Sequence, residues 1–269
     1  MRYCIPIKKS AMKENIFNKH TGIGLLALIV WGRLCASANA AETKFNCAVT
    51  ADYFSKYIWR GQNLNDRSVF QPSLAVSTHG FTGTIWGNLD LTSKNDNPVE
   101  FTEFDYSLDY SAHIPDVNTV GFSIGALYYD FPNTHSPPTM EVYAGLNFDL
   151  PLTPYIRLYR DVEDINGNYV QFGIGHIIKK IAEVSKTCYC GLQLGSSIGY
   201  GSSRYNDGYF DSNHSNMNDW MLFVAFPVCV DLWTIKPSVN YSSMLSDSIR
   251  RATDKSDNLR FGVGLSRNF

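Results

Sequence analysis

The stretch Asn258-Leu-Arg-Phe-Gly-Val-Gly-Leu-Ser-Arg-Asn-Phe269, at the end of the sequence, is its most informative part. Large apolar side chains occur at every second position from Leu259 to Leu265, with Arg and Gly between them. Because successive side chains of a β-strand point to opposite faces, this pattern predicts a strand with one apolar face and one small or polar face. Such strands occur both in soluble β-sandwiches and in membrane barrels, so the remaining segments decide between the two.

The same alternation recurs along the chain in about twelve segments. The clearest segment begins at Thr102, and in it Phe104, Tyr106 and Leu108 alternate with acidic and small polar residues. Strict alternation over this length predicts strands, because helices repeat every 3.6 residues. The predicted strands cover residues 45–59, 69–78, 81–92, 102–113, 120–131, 140–149, 154–162, 169–178, 188–201, 220–230, 234–244 and 259–269.

The connections between these segments alternate in length. The short ones are 79–80, 115–119, 151–153 and 231–233, with the nine-residue link 179–187 as an exception, and the long polar ones are 62–68, 93–98, 132–138, 163–168, 202–219 and 245–257. Outer-membrane barrels have short periplasmic turns, long external loops and an even number of strands, whereas a Greek-key sandwich has no reason to alternate in this way. The sequence therefore predicts an all-β, antiparallel transmembrane β-barrel of about twelve strands over residues 41–269.

A barrel of this kind gives the terminal strand a second role. A last strand that ends on an aromatic residue is typical of the closing strand of bacterial outer-membrane barrels. We expect Phe261, Val263, Leu265 and Phe269 to form the assembly signal that the barrel-assembly machinery binds. Outer-membrane lipid is the expected partner of the apolar face, and a homo-oligomer is compatible with the sequence.

Residues 1–40 are predicted to form a signal peptide that is removed on export. The first twenty residues carry five basic side chains against one acidic side chain. The apolar segment that follows, residues 22–31, is shorter than the roughly 20 residues that a spanning helix needs. Ala36-Ser-Ala-Asn-Ala40 is a small-x-small cleavage site, so cleavage is expected after Ala40, with Ala41 as a neighbouring choice. Translation starts at either Met1 or Met12.

The charge balance excludes one class of partner. Six of the 23 basic residues and one of the 25 acidic residues lie within residues 1–40, so the remaining chain has 17 basic and 24 acidic residues and a net charge of −7. A general nucleic-acid binder needs a basic face, so no nucleic acid is expected as a partner. Aromatic residues make up 14% of the chain, which suits a barrel with aromatic girdles at both membrane interfaces.

Four cysteines follow the predicted signal peptide, namely Cys47, Cys188, Cys190 and Cys229. They show neither a CxxC motif nor the His and Cys spacing of zinc sites, so no metal and no cofactor are predicted. Exported proteins can form disulfides. A bridge from Cys229 to Cys188 or Cys190 is therefore one alternative, and four free thiols are the other.

Five short motifs in the first half of the mature chain resemble a known family. Ser55-Lys-Tyr-Ile-Trp-Arg-Gly61 resembles the S-x-Y-x-x-R-G opening of the TorF-like porin family, also called Gcw_chp. Further similar blocks are Gly80–Asp90, Glu103-Phe-Asp105, Tyr128-Tyr-Asp-Phe-Pro132 and Glu141-Val-Tyr-Ala-Gly145. The resemblance covers about residues 48–150. It implies a porin-like barrel in the outer membrane and no particular substrate.

The polar faces of the predicted strands supply the candidate site, since charged side chains on a pore wall set ion preference. Both signs of charge are present. The predicted pore-lining residues are Lys56, Arg60, Asp90, Glu103, Asp105, Asp109, Glu141, Tyr143, Arg157, Asp161, Lys236 and Arg260. A twelve-stranded barrel lies between small filled barrels and open porins of 16–18 strands. A narrow water-filled pore and a barrel plugged by these side chains are therefore both compatible with the sequence.

Arg60 stands out within this set because it lies where the first predicted strand meets a polar loop. It can pair with Glu103, Asp105 or Glu141 and shape a constriction. The alternative is a structural salt bridge at the rim, which is the more common role for such a residue. The sequence alone does not choose the acidic partner.

An outer-membrane lipid hydrolase is the competing class of protein, and it needs a nucleophilic Ser beside a His with an orienting partner. The five histidines after residue 40 show no recognisable spacing to a serine; they are His79, His113, His135, His176 and His214. We therefore predict no enzyme. The sequence favours a porin-like channel for passive diffusion of ions or small polar solutes in the bacterial outer membrane. A soluble periplasmic β-sandwich that binds a ligand is the remaining alternative.

Overall fold

The computed structural model describes residues 45–92 and 99–269 of the chain. The predicted signal peptide, residues 1–40, and the predicted loop 93–98 lie outside the described residues. Within the described part, the structure is a sheet of long antiparallel strands with two short helices. Neither helix in these residues has the length and apolar character that crossing a bilayer requires.

The described residues form fifteen strands and two helices. The strands are β1 Asn46–Phe54, β2 Tyr57–Trp59, β3 Gln62–Asn65, β4 Val69–Thr78, β5 Phe81–Asp90, β6 Glu100–Ile114, β7 Val117–Asp130, β8 Thr139–Phe148, β9 Tyr155–Asp161, β10 Asn168–Ser185, β11 Cys188–Gly201, β12 Asn216–Ala225, β13 Val228–Val230, β14 Trp233–Met244 and β15 Asp257–Asn268. The helices are α1 Ser203–Phe210 and α2 Asp247–Ala252.

The main sheet closes on itself and forms a barrel. Each strand pairs antiparallel with its neighbour along the chain, and β1 pairs with β15 over seven residue pairs from Ala48–Asn268 to Phe54–Gly262. Strands β12 and β13 share one position between β11 and β14, because Pro227 lacks the N–H that a continuous ladder needs. The barrel therefore has twelve strand positions. The predicted closed antiparallel barrel of about twelve strands is confirmed.

The two ends of the barrel differ in the length of their connections. The short-turn end carries residues 79–80, 115–116, 149–154, 186–187 and 231–232. The start of β1 and the end of β15 lie at the same end. The long-loop end carries residues 55–68, 91–92, 99, 131–138, 162–167, 202–215 and 245–256. The predicted two-residue turn at His79-Gly80 is confirmed, and both residues have the positive φ of a type I′ turn, 48° and 83°.

The outer face of the barrel is apolar and exposed. Leu108 and Ile124 are 56% and 52% exposed although they lie in the middle of long strands. A sheet surface of this kind is stable only against an apolar medium, because apolar area in water costs free energy. Further exposed outward residues are Val49, Leu74, Val142, Leu158, Phe172, Leu222, Val239, Phe261, Val263 and Leu265.

The inner face pairs glycines with large rings on the neighbouring strand. Gly125 is the register partner of Tyr143, and Gly173 is the partner of Tyr155. A Cβ atom built on either glycine would meet the ring of its partner. The inward glycines therefore seat aromatic rings across the lumen, and part of the aromatic content that suggested membrane girdles lies inside the barrel.

Several predicted strand bounds are wrong. The first predicted strand, residues 45–59, breaks after Phe54, and Tyr57 and Trp59 belong to a separate hairpin of β2 and β3 rather than to the outer face. The predicted nine-residue link 179–187 is a turn of two residues, because β10 continues to Ser185 and pairs with β11. The predicted loops 202–219 and 245–257 contain the helices α1 and α2.

The sequence left open whether the cysteines form a disulfide or remain free. All four cysteines of the described residues have free thiols. Tyr189 and Cys229 are register partners and share one face, so Cys188 and Cys190 lie on the other face. This arrangement does not bring Cys229 into bonding position with either neighbour.

Candidate functional site

The interior of the barrel is divided into a packed half and a half that is open to water. At the short-turn half, the inward side chains Asp52, Asp109, Arg157 and Lys236 remain partly exposed. At the long-loop half, the inward polar side chains are buried; they are Gln71, Asn88, Asp90, Glu103, Glu141, Asp161, Asn218, Asp219, Asn240 and Asn258. The side chains therefore fill the interior more tightly at the long-loop half than at the short-turn half.

The hairpin of β2 and β3 enters this mouth. Its two-residue turn is Arg60-Gly61, and both residues have positive φ, 44° and 79°. Two-residue hairpins favour a type I′ turn, but its first position is normally Asn, Asp or Gly, so Arg60 holds a strained backbone. A Cβ atom on Gly61 would lie 2.6 Å from Asp219 Cβ and 2.7 Å from Met244 Sδ. Only glycine lets the tip approach β12 and β14 so closely.

Arg60 makes a buried ion pair with Glu141 of β8. The guanidinium donates two hydrogen bonds to the carboxylate, with Nη1–Oε1 and Nη2–Oε2 distances of 2.8 and 2.7 Å. The two side chains are 8% and 2% exposed. The Tyr129 hydroxyl donates a further bond of 2.8 Å to Glu141 Oε2. This bidentate geometry is the strong form of an arginine–carboxylate contact, and it ties the hairpin tip to the barrel wall.

Aromatic rings surround the same guanidinium. Arg60 Cζ lies 4.5 Å from the ring centroid of Trp59 and 4.4 Å from those of Tyr159 and Tyr169. Each contact is within cation–π distance, and burial strengthens such contacts. The cage replaces the water that the guanidinium loses on entering the mouth.

Helix α1 completes the closure from the loop side. Tyr205, Tyr209 and Phe210 form a buried cluster with Tyr169 and with residues of β14 and α2. Ser202 caps the helix, since its side chain accepts a hydrogen bond from the Tyr205 backbone N–H. Burial first, and then Tyr205 and Glu141, raise the pKa of the Tyr209 hydroxyl well above its usual value. The ring of Tyr209 is therefore neutral at the mouth.

Two carboxylates near the mouth organise neighbouring backbone and hydroxyl groups. Asp161 Oδ1 accepts backbone N–H bonds from Glu163, Ile165 and Asn166, which fixes the loop after β9. Its Oδ2 accepts a 2.6 Å bond from the Thr139 hydroxyl. On the opposite side, Asp219 Oδ1 accepts a 2.8 Å bond from the Tyr169 hydroxyl. Asp161 and Asp219 therefore hold the loops and side chains of the mouth in fixed positions.

The predicted pore-lining residues fall into three groups in the structure. Asp90, Glu103, Glu141 and Asp161 are buried in the packed half, where Arg60 joins them from the hairpin tip. Asp105, Asp109, Tyr143, Arg157, Lys236 and Arg260 point inward from the barrel wall and are partly buried. Lys56 lies in the link between β1 and β2, outside the barrel wall. Their role in lining a pore stays a prediction.

The pairing of the second group shows how the wall is organised. The Tyr143 hydroxyl donates a 2.6 Å bond to Asp109 Oδ2, and Arg157 Cζ lies 5.3 Å from the Tyr143 ring. Arg260 Cζ lies 4.2 Å from the ring of Phe54. These contacts join adjacent strands, except that the Tyr143–Asp109 bond reaches from β8 over β7 to β6.

Part of the mouth was not predicted from the sequence. Trp59, Tyr169, Tyr205 and Asp219 contact Arg60 or its surroundings, yet none was a candidate. Asp219 was assigned to a loop because the tenth strand was predicted to start at Trp220, whereas β12 starts at Asn216. The Arg60-Gly61 pair between two short polar and aromatic segments is the signal that could have revealed the hairpin. Among the described residues, no group of three or more His, Cys, Asp or Glu is arranged to hold a metal ion.

Comparison with known proteins concerns the architecture. No protein-family model matches the sequence, and no curated protein matches it. Among solved structures, the NanC porin is 12% identical with a TM-score of 0.42, and the match covers 82% of this chain and 98% of that one. The outer-membrane channel DcaP of Acinetobacter baumannii is 9% identical, with coverages of 87% and 99% and a TM-score of 0.44. An outer-membrane channel of Pseudomonas putida F1 is 9% identical, with coverages of 87% and 98% and a TM-score of 0.46.

Proposed function

We propose that the protein is a porin-like channel of the bacterial outer membrane that lets ions or small polar solutes diffuse passively. The observation that supports this most is the contrast between the two faces of a closed sheet. The outer face exposes a continuous apolar surface, while charged side chains of the inner face at the short-turn half remain open to water. In lipid every backbone polar group needs an internal partner, and a closed barrel supplies one.

The proposed orientation follows from the connections. The short-turn end, with both strand termini, faces the periplasm, and the long-loop end faces the outside, as in other outer-membrane barrels. Outer-membrane lipid then surrounds the apolar face, and the barrel-assembly machinery binds the C-terminal strand with Phe261, Val263, Leu265 and Phe269. Export requires the proposed cleavage near Ala40. The proposed activity is passive and involves no catalysis.

The resemblance to the TorF-like porin family is part of this proposal, and the first and last of the motifs that carry it meet in space. Arg60 and Gly61 end the first motif and form the hairpin tip, and Glu141 opens the last motif and accepts the hydrogen bonds of Arg60. Ser55 opens the first motif, and its hydroxyl accepts a 3.1 Å bond from the Phe261 backbone N–H. We infer that these blocks specify how the hairpin folds into the mouth.

A largely plugged structural barrel is the second candidate, and a specific observation favours it. The hairpin tip, α1 and the cluster around Tyr169 fill the long-loop mouth with buried side chains. If this arrangement persists in the membrane, the lumen is a vestibule open at one end. An open channel conducts ions across a membrane, and a plugged barrel does not.

Single-channel recording in a planar bilayer separates the two candidates. The purified protein is expected to give discrete steps of small conductance, and a salt gradient across the bilayer gives the ion preference from the reversal potential. Protein unfolded by boiling before addition is the control. If protein whose gel mobility shows that it is folded gives no current, the channel function is refuted and the plugged barrel is favoured.

A further inference from the structure

An aromatic pocket with a carboxylate lies beside the hairpin at the long-loop mouth. Trp59, Tyr129, Phe131 and Tyr209 form its walls, and Glu103 of β6 lies at its lining. The pocket has about 250 Å³ of space, part of which is open solvent. Most of that space is open to solvent, and the enclosed part is about the size of one water molecule, which is also the size of an ammonium head. The enclosed part therefore has room for a small chemical group only.

The rings of this pocket are arranged around a common space. Trp59 and Tyr209 have centroids 5.3 Å apart, and Trp59 meets Tyr129 edge to face at 6.4 Å. Tyr129 and Phe131 are parallel at 6.4 Å. Aromatic faces carry negative quadrupole charge and attract cations that approach them. The walls therefore favour a positively charged guest.

Glu103 is the acidic residue of the pocket lining, and its partners among the described residues, the Tyr57 hydroxyl and the Asp105 carboxyl group, are not cations. Glu103 is buried, and Asp105 follows it on the same inward face of β6 with one carboxylate oxygen, Oδ1, that is buried without a hydrogen bond among the described residues. Tyr57 is the neutral group beside both. Arg60, which enters the same mouth, is paired with Glu141. A buried carboxylate without a counter-charge costs free energy that a bound cation recovers.

We propose that this pocket binds the primary ammonium group of a small amine that arrives from the long-loop side. Three N–H donors on a compact head match a carboxylate, and the aromatic walls match the charge of the head and its first carbon. The inference deepens the proposed channel function by naming a solute class for its mouth, and it rests on that function. A quaternary ammonium has no N–H donor and is too bulky for the enclosed space.

Fluorescence titration of the detergent-folded protein tests the proposal. Trp86, Trp220 and Trp233 are changed to Phe so that Trp59 is the reporter in the mature chain. Methylammonium chloride is the probe, and sodium chloride and tetramethylammonium chloride at equal ionic strength are the comparison salts. We expect a saturable change with methylammonium that neither comparison salt produces.

Variants on one strand provide the matched control. Glu103→Gln should weaken methylammonium binding about tenfold or more, since a charge-assisted hydrogen bond is lost. Asp109→Asn, an inward carboxylate six residues further along β6, should leave binding unchanged. Phe131→Leu, at the partly exposed rim, should weaken binding about threefold and covers the case in which Glu103→Gln does not fold.

The outcomes separate this inference from the channel itself. The titration needs a folded barrel but no open lumen, so a silent bilayer and a failed titration are different results. The proposal is overturned if the wild type shows no saturable response, if sodium or tetramethylammonium matches methylammonium, or if Glu103→Gln binds like the wild type. Selective binding that Glu103→Gln weakens supports it.

Discussion

At the scale of single residues, Arg60 combines the largest unfavourable and favourable free-energy terms that we identify at the mouth. Its backbone is held at positive φ, and its guanidinium is removed from water. Glu141 and the rings of Trp59, Tyr159 and Tyr169 offset both costs. A residue that is strained and charged yet buried persists only where its surroundings over-determine it. The hairpin tip is therefore expected to be the most sensitive point of the molecule.

Removing the guanidinium should destabilise the folded barrel strongly. Arg60→Ala leaves Glu141 buried without its partner, and breaking a buried pair in this way costs about 3–5 kcal/mol. The folded and unfolded forms migrate differently on a detergent gel. The measurement is the temperature at which the folded band is replaced by the unfolded band. Lys255→Ala is the control, because it breaks the exposed pair of Lys255 and Asp66, worth about 1 kcal/mol or less. Equal effects of the two variants would refute the buried role of Arg60.

The glycines that seat aromatic rings give a second prediction at this scale. In Gly125→Ala the new Cβ would lie 2.5 Å from Tyr143 Cζ and 2.6 Å from the Leu108 carbonyl oxygen. Overpacking of this kind costs about 1–3 kcal/mol, because the ring must leave its place. Gly121→Ala is the matched control on the same inward face of β7, where the nearest atom is 3.7 Å away. The same unfolding measurement should show a loss only for Gly125→Ala, and identical behaviour would contradict the assignment of ring seats.

At the scale of elements, strand phase and loop length were predictable, and the hairpin was not. The alternation of β6 identifies its two faces because the outer face must be apolar along its full length. Tyr57 and Trp59 continue the alternation of β1 across the break after Phe54, so nothing local shows that the chain has left the wall. Helix α1 was missed because its residues have modest helix propensity, and its Ser202 cap is a single residue within a segment of polar residues.

The partner of Arg60 could not be predicted for a related reason. Glu103, Asp105 and Glu141 all point inward, and the sequence separation between Arg60 and Glu141 is 81 residues. Only the depth to which the hairpin enters the mouth decides which acid it meets. That depth depends on the packing of Gly61 against β12 and β14, which no local pattern contains.

The terminal strand gives a prediction about assembly. The Phe269 N–H donates to the Cys47 carbonyl at 2.8 Å, and the Cys47 N–H donates back at 3.3 Å, so the last residue extends the closing ladder. Deletion of Phe269 should lower the amount of folded protein in the outer membrane severalfold. Phe269→Ala keeps the backbone bonds and removes only the ring, so it separates closure from recognition of the aromatic residue. Asn268→Ala is the control, and wild-type amounts after the deletion would refute the assembly signal.

At the scale of the whole molecule, one property governs the others, namely the closure of the sheet between β1 and β15. Closure removes the strand edges, which would otherwise be left unpaired in lipid. It also defines an inside, and with it the division into a packed mouth and a solvated vestibule. The proposed conduction and the proposed ammonium pocket both depend on this enclosure.

A disulfide across the closing strands tests the central claim most directly. Thr50 and Ser266 are register partners on the inward face of β1 and β15, and paired antiparallel residues have Cα atoms within disulfide reach. With the four cysteines of the described residues replaced by serine, Thr50→Cys with Ser266→Cys should cross-link in the folded protein, as seen by a reducible change in gel mobility. Thr50→Cys with Ser123→Cys, four positions around the barrel, should not cross-link. A folded protein in which the first pair stays reduced under oxidising conditions, or in which both pairs link equally, would contradict the closed barrel.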